Sequence, residues 1–265
     1  EMILENYRKA KAKYGEKIPV SMHPSIRSAD ACEKSTRLAI ALAKQYNSDL
    51  HVLHISTAQE LELFSNAPIE EKKITAEVCV HHLWFNDNDY SKLGNLIKCN
   101  PAIKTKSDQE ALITAINSNK LDIIATDQAP HTFEEKMGDY STAPAGIPLV
   151  QHSLLSLVDH FKKGRLTLET LVKKACHNPA KRFAVKDRGF IREGYHAGLV
   201  LVNLNKSTIV SKENILYKCG WSPYLNHTFQ SKIEKTFVNG QMIYDGENVI
   251  PSNRVVSPLR FNRSL

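Results

Sequence analysis

The chain alternates short apolar, β-branched runs with longer amphipathic ones. Leu50-His51-Val52-Leu53-His54-Ile55 and Leu121-Asp122-Ile123-Ile124-Ala125-Thr126 are short and mostly apolar, the pattern of buried strands. Residues 74–80 form a third such run, and residues 17–22, Lys-Ile-Pro-Val-Ser-Met, a fourth. Between the first two in the chain, Ala29 to Gln45 places Ala31, Leu38, Ala39, Leu42 and Ala43 near a helical period. Thr57-Ala58-Gln59-Glu60 and Ser107-Asp108-Gln109-Glu110 space a hydroxyl and a carboxylate so that each satisfies a free backbone donor at a helix start. The first predicts a helix through Leu61 and Phe64, the second a helix to about Asn117. The order β-α-β-α-β-α-β predicts a parallel sheet, open or closed into a barrel.

Residues 86–91 are rich in Asn and Asp and read as loop. A segment of roughly twenty residues from Asp127 to Gly146 lacks periodicity, and loops of that length in a compact domain are usually functional or disordered. Helices are expected at about 151–161 and 168–176. Asn178-Pro179-Ala180-Lys181-Arg182-Phe183 then opens a short helix with Pro in its first turn. From Gly194 the pattern changes to strands. Leu199-Val200-Leu201-Val202 is one, and residues 232–238 and 241–244 flank Asn239-Gly240, a dipeptide that accepts the positive φ values of a tight hairpin turn.

Composition narrows the class without naming the chemistry. The 265 residues are 42% hydrophobic and 24% charged, an ordinary balance for a soluble globular protein. No apolar run approaches the ~20 residues of a membrane span. Glu1-Met2-Ile3-Leu4-Glu5-Asn6-Tyr7 reads as an amphipathic helix rather than a secretory signal. Five scattered cysteines, Cys32, Cys79, Cys99, Cys176 and Cys219, include no CxxC pair, which points to reduced thiols in a cytoplasmic protein. Lys and Arg number 35 against 28 Asp and Glu, a net charge of +7. They are spread along the chain without a basic cluster, so nucleic acid is not an expected partner, and a basic balance suits anionic substrates. There is no GxGxxG, P-loop, GxSxG or HExxH.

Asp127 is the first candidate for chemistry, because carboxylates at the carboxyl ends of strands are where α/β barrels keep their catalytic groups. The competing reading is a helix cap or a structural Asp. His54, at the exit of the 50–55 run, is the second candidate. A carboxylate and an imidazole arriving from two strand ends suggest a metal-assisted hydrolase. His51 lies three residues earlier, points to the opposite face, and reads as a surface or packing residue. His81 and His82 are read as adjacent strand residues on opposite faces, so that both do not easily bind one ion, which leaves open whether one of them lines a pocket. His23, before Pro24, is ambiguous. His131 on the long loop can hydrogen-bond an anionic substrate. Asn100, extended because Pro101 follows, can bind a substrate amide or carboxylate or form a turn.

Taken in order, these segments resemble the dihydroorotases of the amidohydrolase superfamily, of the type related to the dihydroorotase domain of multifunctional pyrimidine enzymes. The marks are Arg27-Ser28-Ala29-Asp30-Ala31, His51-Val52-Leu53-His54-Ile55-Ser56-Thr57, Glu77-Val78-Cys79-Val80-His81-His82-Leu83, Lys98-Cys99-Asn100-Pro101-Ala102, Ala125-Thr126-Asp127-Gln128-Ala129-Pro130-His131 and Pro144-Ala145-Gly146-Ile147. Asn178-Pro179-Ala180, Trp221-Ser222-Pro223-Tyr224 and Val238-Asn239-Gly240 follow. The resemblance implies a (β/α)8 TIM-type barrel, of which residues 1–192 are the C-terminal portion, and a small β subdomain to which residues 193–265 contribute. It implies one or two zinc ions and the reversible cyclisation of N-carbamoyl-L-aspartate to L-dihydroorotate in pyrimidine biosynthesis. By match, His54 is a metal ligand, Asp127 a metal ligand and the general acid/base, Asn100 and His131 hold substrate, and the backbone at Ala145 and Gly146 closes over it. The implied partner is that small molecule, with a homodimer as the assembly to consider and neither nucleic acid nor membrane.

The resemblance also implies residues without a match here: an HxH pair on the first barrel strand with an Arg and an Asn after it, a bridging Asp or carboxylated Lys, and a fifth-strand His. Gln128 stands where the family often has His, and Gly198 replaces a common Asp. Residue 1 therefore reads as a start inside the domain, in a longer parent protein. Two ligands fall short of the ~3 that a catalytic zinc normally takes from protein, and an open half-barrel exposes a sheet edge. Residues 1–265 alone are expected neither to fold tightly nor to turn over substrate. The rival readings are another cyclic amidase, hydantoinase-like or allantoinase-like, and a non-catalytic scaffold of the same fold.

Overall fold

A computed structural model describes residues 1–252 and 257–262; the remainder of the expected β subdomain, 253–256 and 263–265, lies outside the described residues. The chain divides into two compact units, one of Glu1–Ser153 with Ser211–Leu225 and one of Leu154–Val210 with Asn226–Leu265. Among the described residues no helix is long and apolar enough to cross a membrane.

The first unit is built on three parallel strands in the order β1 (Leu50–Val52), β2 (Ile74–Cys79), β3 (Ile123–Ala125). Val52 pairs with Ala76, and Cys79 with Ala125. The central strand is buried from Thr75 to Cys79, which is why its sequence runs apolar with little alternation. Helix Ala29–Gln45 forms as its periodicity predicts, capped by Ser28, whose hydroxyl accepts the Ala31 amide at 3.3 Å. Helix Lys106–Asn117 ends where expected, but its box is Thr105 and Asp108, two residues upstream of the predicted one. Thr105 is extended and bonds the Asp108 amide at 3.2 Å, while the Asp108 carboxylate accepts the Thr105 amide at 3.1 Å.

Several expectations are corrected. Residues 17–22 contain no strand: Val20–Met22 is a 3₁₀ turn running into helix His23–Ile26. Pro24 sits in that helix's first turn, where its fixed φ is pre-set for helix. Ile18 and Ile26 bury with Ala10 and Tyr140 in a local core. At Thr57 the capping bonds form, with the Thr57 hydroxyl donating to Glu60 at 2.8 Å, yet they open only the 3₁₀ turn Gln59–Leu63. Residues 86–91 are not loop throughout, because Asn86 and Asp89 box a 3₁₀ turn that leads into helix Tyr90–Leu93.

The long segment after Asp127 is tied down by two buried lysines. It contains helix Phe133–Lys136, capped by Thr132 and Glu135. Lys136 is fully buried and donates to the carbonyls of Lys98, Pro144 and Gly146 at 3.1, 2.9 and 2.9 Å. Lys98 donates to the carbonyls of Tyr140 and Ala143 at 2.5 and 2.6 Å. Five carbonyl contacts on two ammonium groups hold a stretch with little regular structure of its own.

In the second unit β4 (Leu199–Asn203), β7 (Lys232–Val238) and β8 (Gln241–Tyr244) form an antiparallel sheet in the order β4-β7-β8, and β5 (Thr208–Ile209) pairs with β6 (Thr228–Phe229). The Asn239-Gly240 turn has φ values of 51° and 80°, as its sequence predicts. The expected helices are Val150–Lys162, Leu168–Val172 continuing through a π turn at Lys173–His177, and Asn178–Arg182.

Candidate functional site

The carboxyl ends of β1, β2 and β3 gather the groups singled out in the sequence. His54 stands two residues beyond β1, His81 two beyond β2, and Asp127 two beyond β3. His54 and Asp127 share an uncommon backbone: φ is 44° at the first and 46° at the second. The left-handed region costs a non-glycine residue about 1–2 kcal/mol, and such outliers gather where function fixes a side chain. His54 is half-buried and Asp127 exposed, and neither side chain has a hydrogen-bond or ion-pair partner among the described residues. A lone imidazole and a lone carboxylate are donors that suit zinc. On the chemistry of this donor pair, the residues fit the metal that the family resemblance implies.

Between them lies the turn from Cys79 to His82. Val80–Trp84 is a helix, so His81 and His82 are not strand residues on opposite faces. Successive helical residues point about 100° apart rather than 180°. Both are buried, with ring centroids 4.1 Å apart. Both ring nitrogens of His81, and Nδ1 of His82, are buried without a partner among the described residues, while His82 Nε2 donates to the Pro101 carbonyl at 3.1 Å. Burial, and to a smaller extent the charge of His54, pushes His81 down to about 3, so its imidazole is neutral. Burial pushes the Cys79 thiol up, with Glu77 and then Asp127 adding to it. His54 and Asp127 thus act electrostatically on one turn from two neighbouring strand ends. The sequence reading missed this cluster, and the signal available for it was Cys79-Val80-His81-His82 at a strand exit.

A cavity of about 340 Å³ in the same unit is lined by Arg27, Cys32, His54, Glu60 and Asn100, among others. His54 and Asn100 therefore face shared space. The Asn100–Pro101 peptide is cis. His131, Ala145 and Gly146 form a second group, on the tied segment. A Cβ at Gly146 would lie 2.3 Å from the Ala129 carbonyl and 3.1 Å from His131 Cδ2, so glycine permits the close approach at a φ of 148°. The Gly146 amide donates to the Lys98 carbonyl at 2.9 Å, two residues before Asn100. The His131 ring is 3.5 Å from Glu135, and its carbonyl accepts from Trp221 Nε1 at 2.8 Å. Asp127, His131, Ala145 and Gly146 lie outside the cavity lining.

Other histidines have structural partners. His51 lies 3.1 Å from the Glu77 carboxylate and 2.8 Å from the Thr75 hydroxyl. His23 is buried, with Nε2 donating to the Cys99 carbonyl at 2.8 Å and Nδ1 2.9 Å from the Tyr140 hydroxyl. Burial holds it down at about 3.

The class these features define is an α/β protein with metal-suited donors at the carboxyl ends of parallel strands. Residues 21–243 match the Amidohydrolase family, and the chain belongs to it. A dihydroorotase from Methanosphaera stadtmanae is 36% identical over 223 residues, covering 84% of this chain and 51% of the relative. An allantoinase from Rubrobacter xylanophilus is 30% identical over 226 residues, covering 84% of this chain and 50% of the relative. Among solved structures, an L-hydantoinase (dihydropyrimidinase) from Arthrobacter aurescens superposes with a TM-score of 0.86 at 23% identity, covering 94% of this chain and 56% of that one, a likeness of fold. The chain spans about half the length of the curated relatives it matches.

Proposed function

We propose that this chain is part of a zinc-dependent dihydroorotase, interconverting N-carbamoyl-L-aspartate and L-dihydroorotate, and that its parallel strands belong to a (β/α)8 barrel. The observation that carries the reading is the pair of unpartnered metal-suited side chains, His54 and Asp127, on left-handed backbone at the ends of β1 and β3. The similarity to dihydroorotases at 30–36% identity supports the choice of substrate.

In this reading His54 and Asp127 hold zinc together with ligands from the rest of the protein. Zinc in such a site supplies Lewis-acid polarisation of the amide carbonyl and a nucleophile near neutral pH. Asp127 takes the proton of the attacking water on its carboxylate and returns it to the leaving ring nitrogen. Asn100 and His131 orient the substrate, and the backbone at Ala145 and Gly146 closes over it. Lys98, Lys104 and Lys136 are buried with no carboxylate partner among the described residues. They make the surroundings of Asn100 positive, which suits a substrate with two carboxylates.

The test is a substrate panel on the full-length protein. Dihydroorotate is expected to be turned over far faster than hydantoin or allantoin at matched concentration. A preference for either of the other two would replace this reading with a different cyclic amidase. No turnover of any of the three, with zinc absent after zinc-supplemented purification, would favour the scaffold reading.

A further inference from the structure

We propose that Cys79, His81 and His82 form a second cation site, separate from His54 and Asp127, for a thiophilic ion of the zinc type. One ligand atom from each lies within 4.8 Å of the others, and all three residues are buried. Their hydrogen bonding leaves lone pairs with nothing to do. Among the described residues His81 has no hydrogen-bond partner at either nitrogen. His82 spends Nε2–H on the Pro101 carbonyl, which fixes its tautomer and leaves the Nδ1 lone pair unused. The Cys79 sulfur has no hydrogen-bond partner among the described residues.

A buried polar atom without a partner costs about 1–3 kcal/mol, so three such nitrogens in one turn are an arrangement that a ligand would relieve. A cation does so at two of them, one nitrogen of His81 and Nδ1 of His82, while the other His81 nitrogen keeps the ring proton. Two neutral imidazoles and a thiolate are a donor set that zinc takes at 2.0–2.3 Å, and a modest contraction of the cluster brings the three to those distances. The thiol proton leaves to solvent as the Cys79 sulfur binds. Asp127 and Glu77 bear on the Cys79 sulfur electrostatically, and their negative charge stabilises a cation there. The site does not depend on the reaction proposed above, because it needs neither His54 nor Asp127 as a ligand.

The experiment uses cobalt(II), whose thiolate complexes show a sulfur-to-metal charge-transfer band. The full-length protein is stripped of metal, refolded with cobalt(II), and checked for native circular dichroism. The band is expected in the wild type, in Asp127→Asn, in Cys99→Ser, and in a Cys32→Ser, Cys176→Ser, Cys219→Ser triple variant. It is expected to vanish in Cys79→Ser. In His81→Gln and His82→Gln the cobalt affinity is expected to fall at least tenfold. A folded wild type with no such band, or a Cys79→Ser protein that keeps it, would overturn the site. If Cys79→Ser does not fold, unchanged cobalt affinity in both glutamine variants would do the same. Because the readout is spectroscopic, a wrong substrate assignment leaves this result standing, and the reverse also holds.

Discussion

The two ends of the parallel sheet treat the same residue type in opposite ways. Asp122 lies just before β3 and Asp127 just after it. At the amino end, Asp122 pairs with Lys72 at 2.8 Å, both side chains almost fully buried, and its second oxygen accepts the Ala76 amide at 3.0 Å. Lys72 also donates to the Asn119 carbonyl at 2.6 Å. At the carboxyl end, Asp127 and His54 have no partner among the described residues and sit on left-handed backbone, and His81 is buried with both nitrogens unpaired. One end is satisfied and therefore stabilising. The other withholds hydrogen bonds from polar groups and accepts backbone strain. That is the division of labour expected where binding is confined to the carboxyl ends of strands.

The sharpest break in this comparison is to exchange the consequences of the two aspartates. Asp127→Asn is expected to lower turnover of dihydroorotate by about 10³-fold or more, through loss of a ligand and of the proton carrier. Its thermal midpoint should stay near that of the wild type. Near-normal kcat in that variant would remove Asp127 from the chemistry. Asp122→Ala should do the reverse, losing about 3–5 kcal/mol in urea unfolding because the Lys72 ammonium is left buried without its carboxylate. Its folded fraction should keep its turnover; a stable Asp122→Ala protein would show that the amino end carries less than its burial implies.

Two smaller tests sharpen the picture away from the strand ends. Gly146→Ala must push back the Ala129 carbonyl or the His131 ring. The expected result is a rise in KM of about tenfold, ~1.4 kcal/mol, with a lesser change in kcat; an unchanged KM would detach this contact from substrate binding. The last concerns pH. Burial holds His23 down at about 3 and His152 at about 4, while an unfolded histidine titrates near ~6.5. Between those values the unfolded chain binds more protons than the folded one. Stability is therefore fully present above ~6.5 and is lost as pH falls through that window. Urea midpoints at pH 7 and pH 5 check the sign, and His23→Asn should flatten the slope by about one proton.

What could be read from residues alone was local or periodic. Helix Ala29–Gln45 carries its own period and its own Ser28 cap, and the β7–β8 hairpin carries its own Asn239-Gly240 turn. His54 and Asp127 stood out because each stands at the exit of a short, mostly apolar run. The strand predicted at 17–22 failed because Pro19 and Pro24 bracket a segment whose apolar residues serve a local core with Ala10 and Tyr140, which no window of six residues contains. His81 and His82 were misread for a related reason. The apolar run does not show that β2 stops at Cys79 and the chain turns helical at Val80.

Sequence by itself determined the α/β class, the capped helix, the hairpin, and the positions at which an imidazole and a carboxylate leave their strands. These rest on side-chain period, capping spacing and φ preference, all of which act within a few residues. Tertiary structure alone decided that Cys79, His81 and His82 share one buried turn. It also decided that Lys98 and Lys136 bind the long segment through carbonyls, and that Asp122 is paired while Asp127 has no partner among the described residues. Each of those outcomes depends on which groups from distant parts of the chain compete for the same donors, acceptors and space once water is excluded.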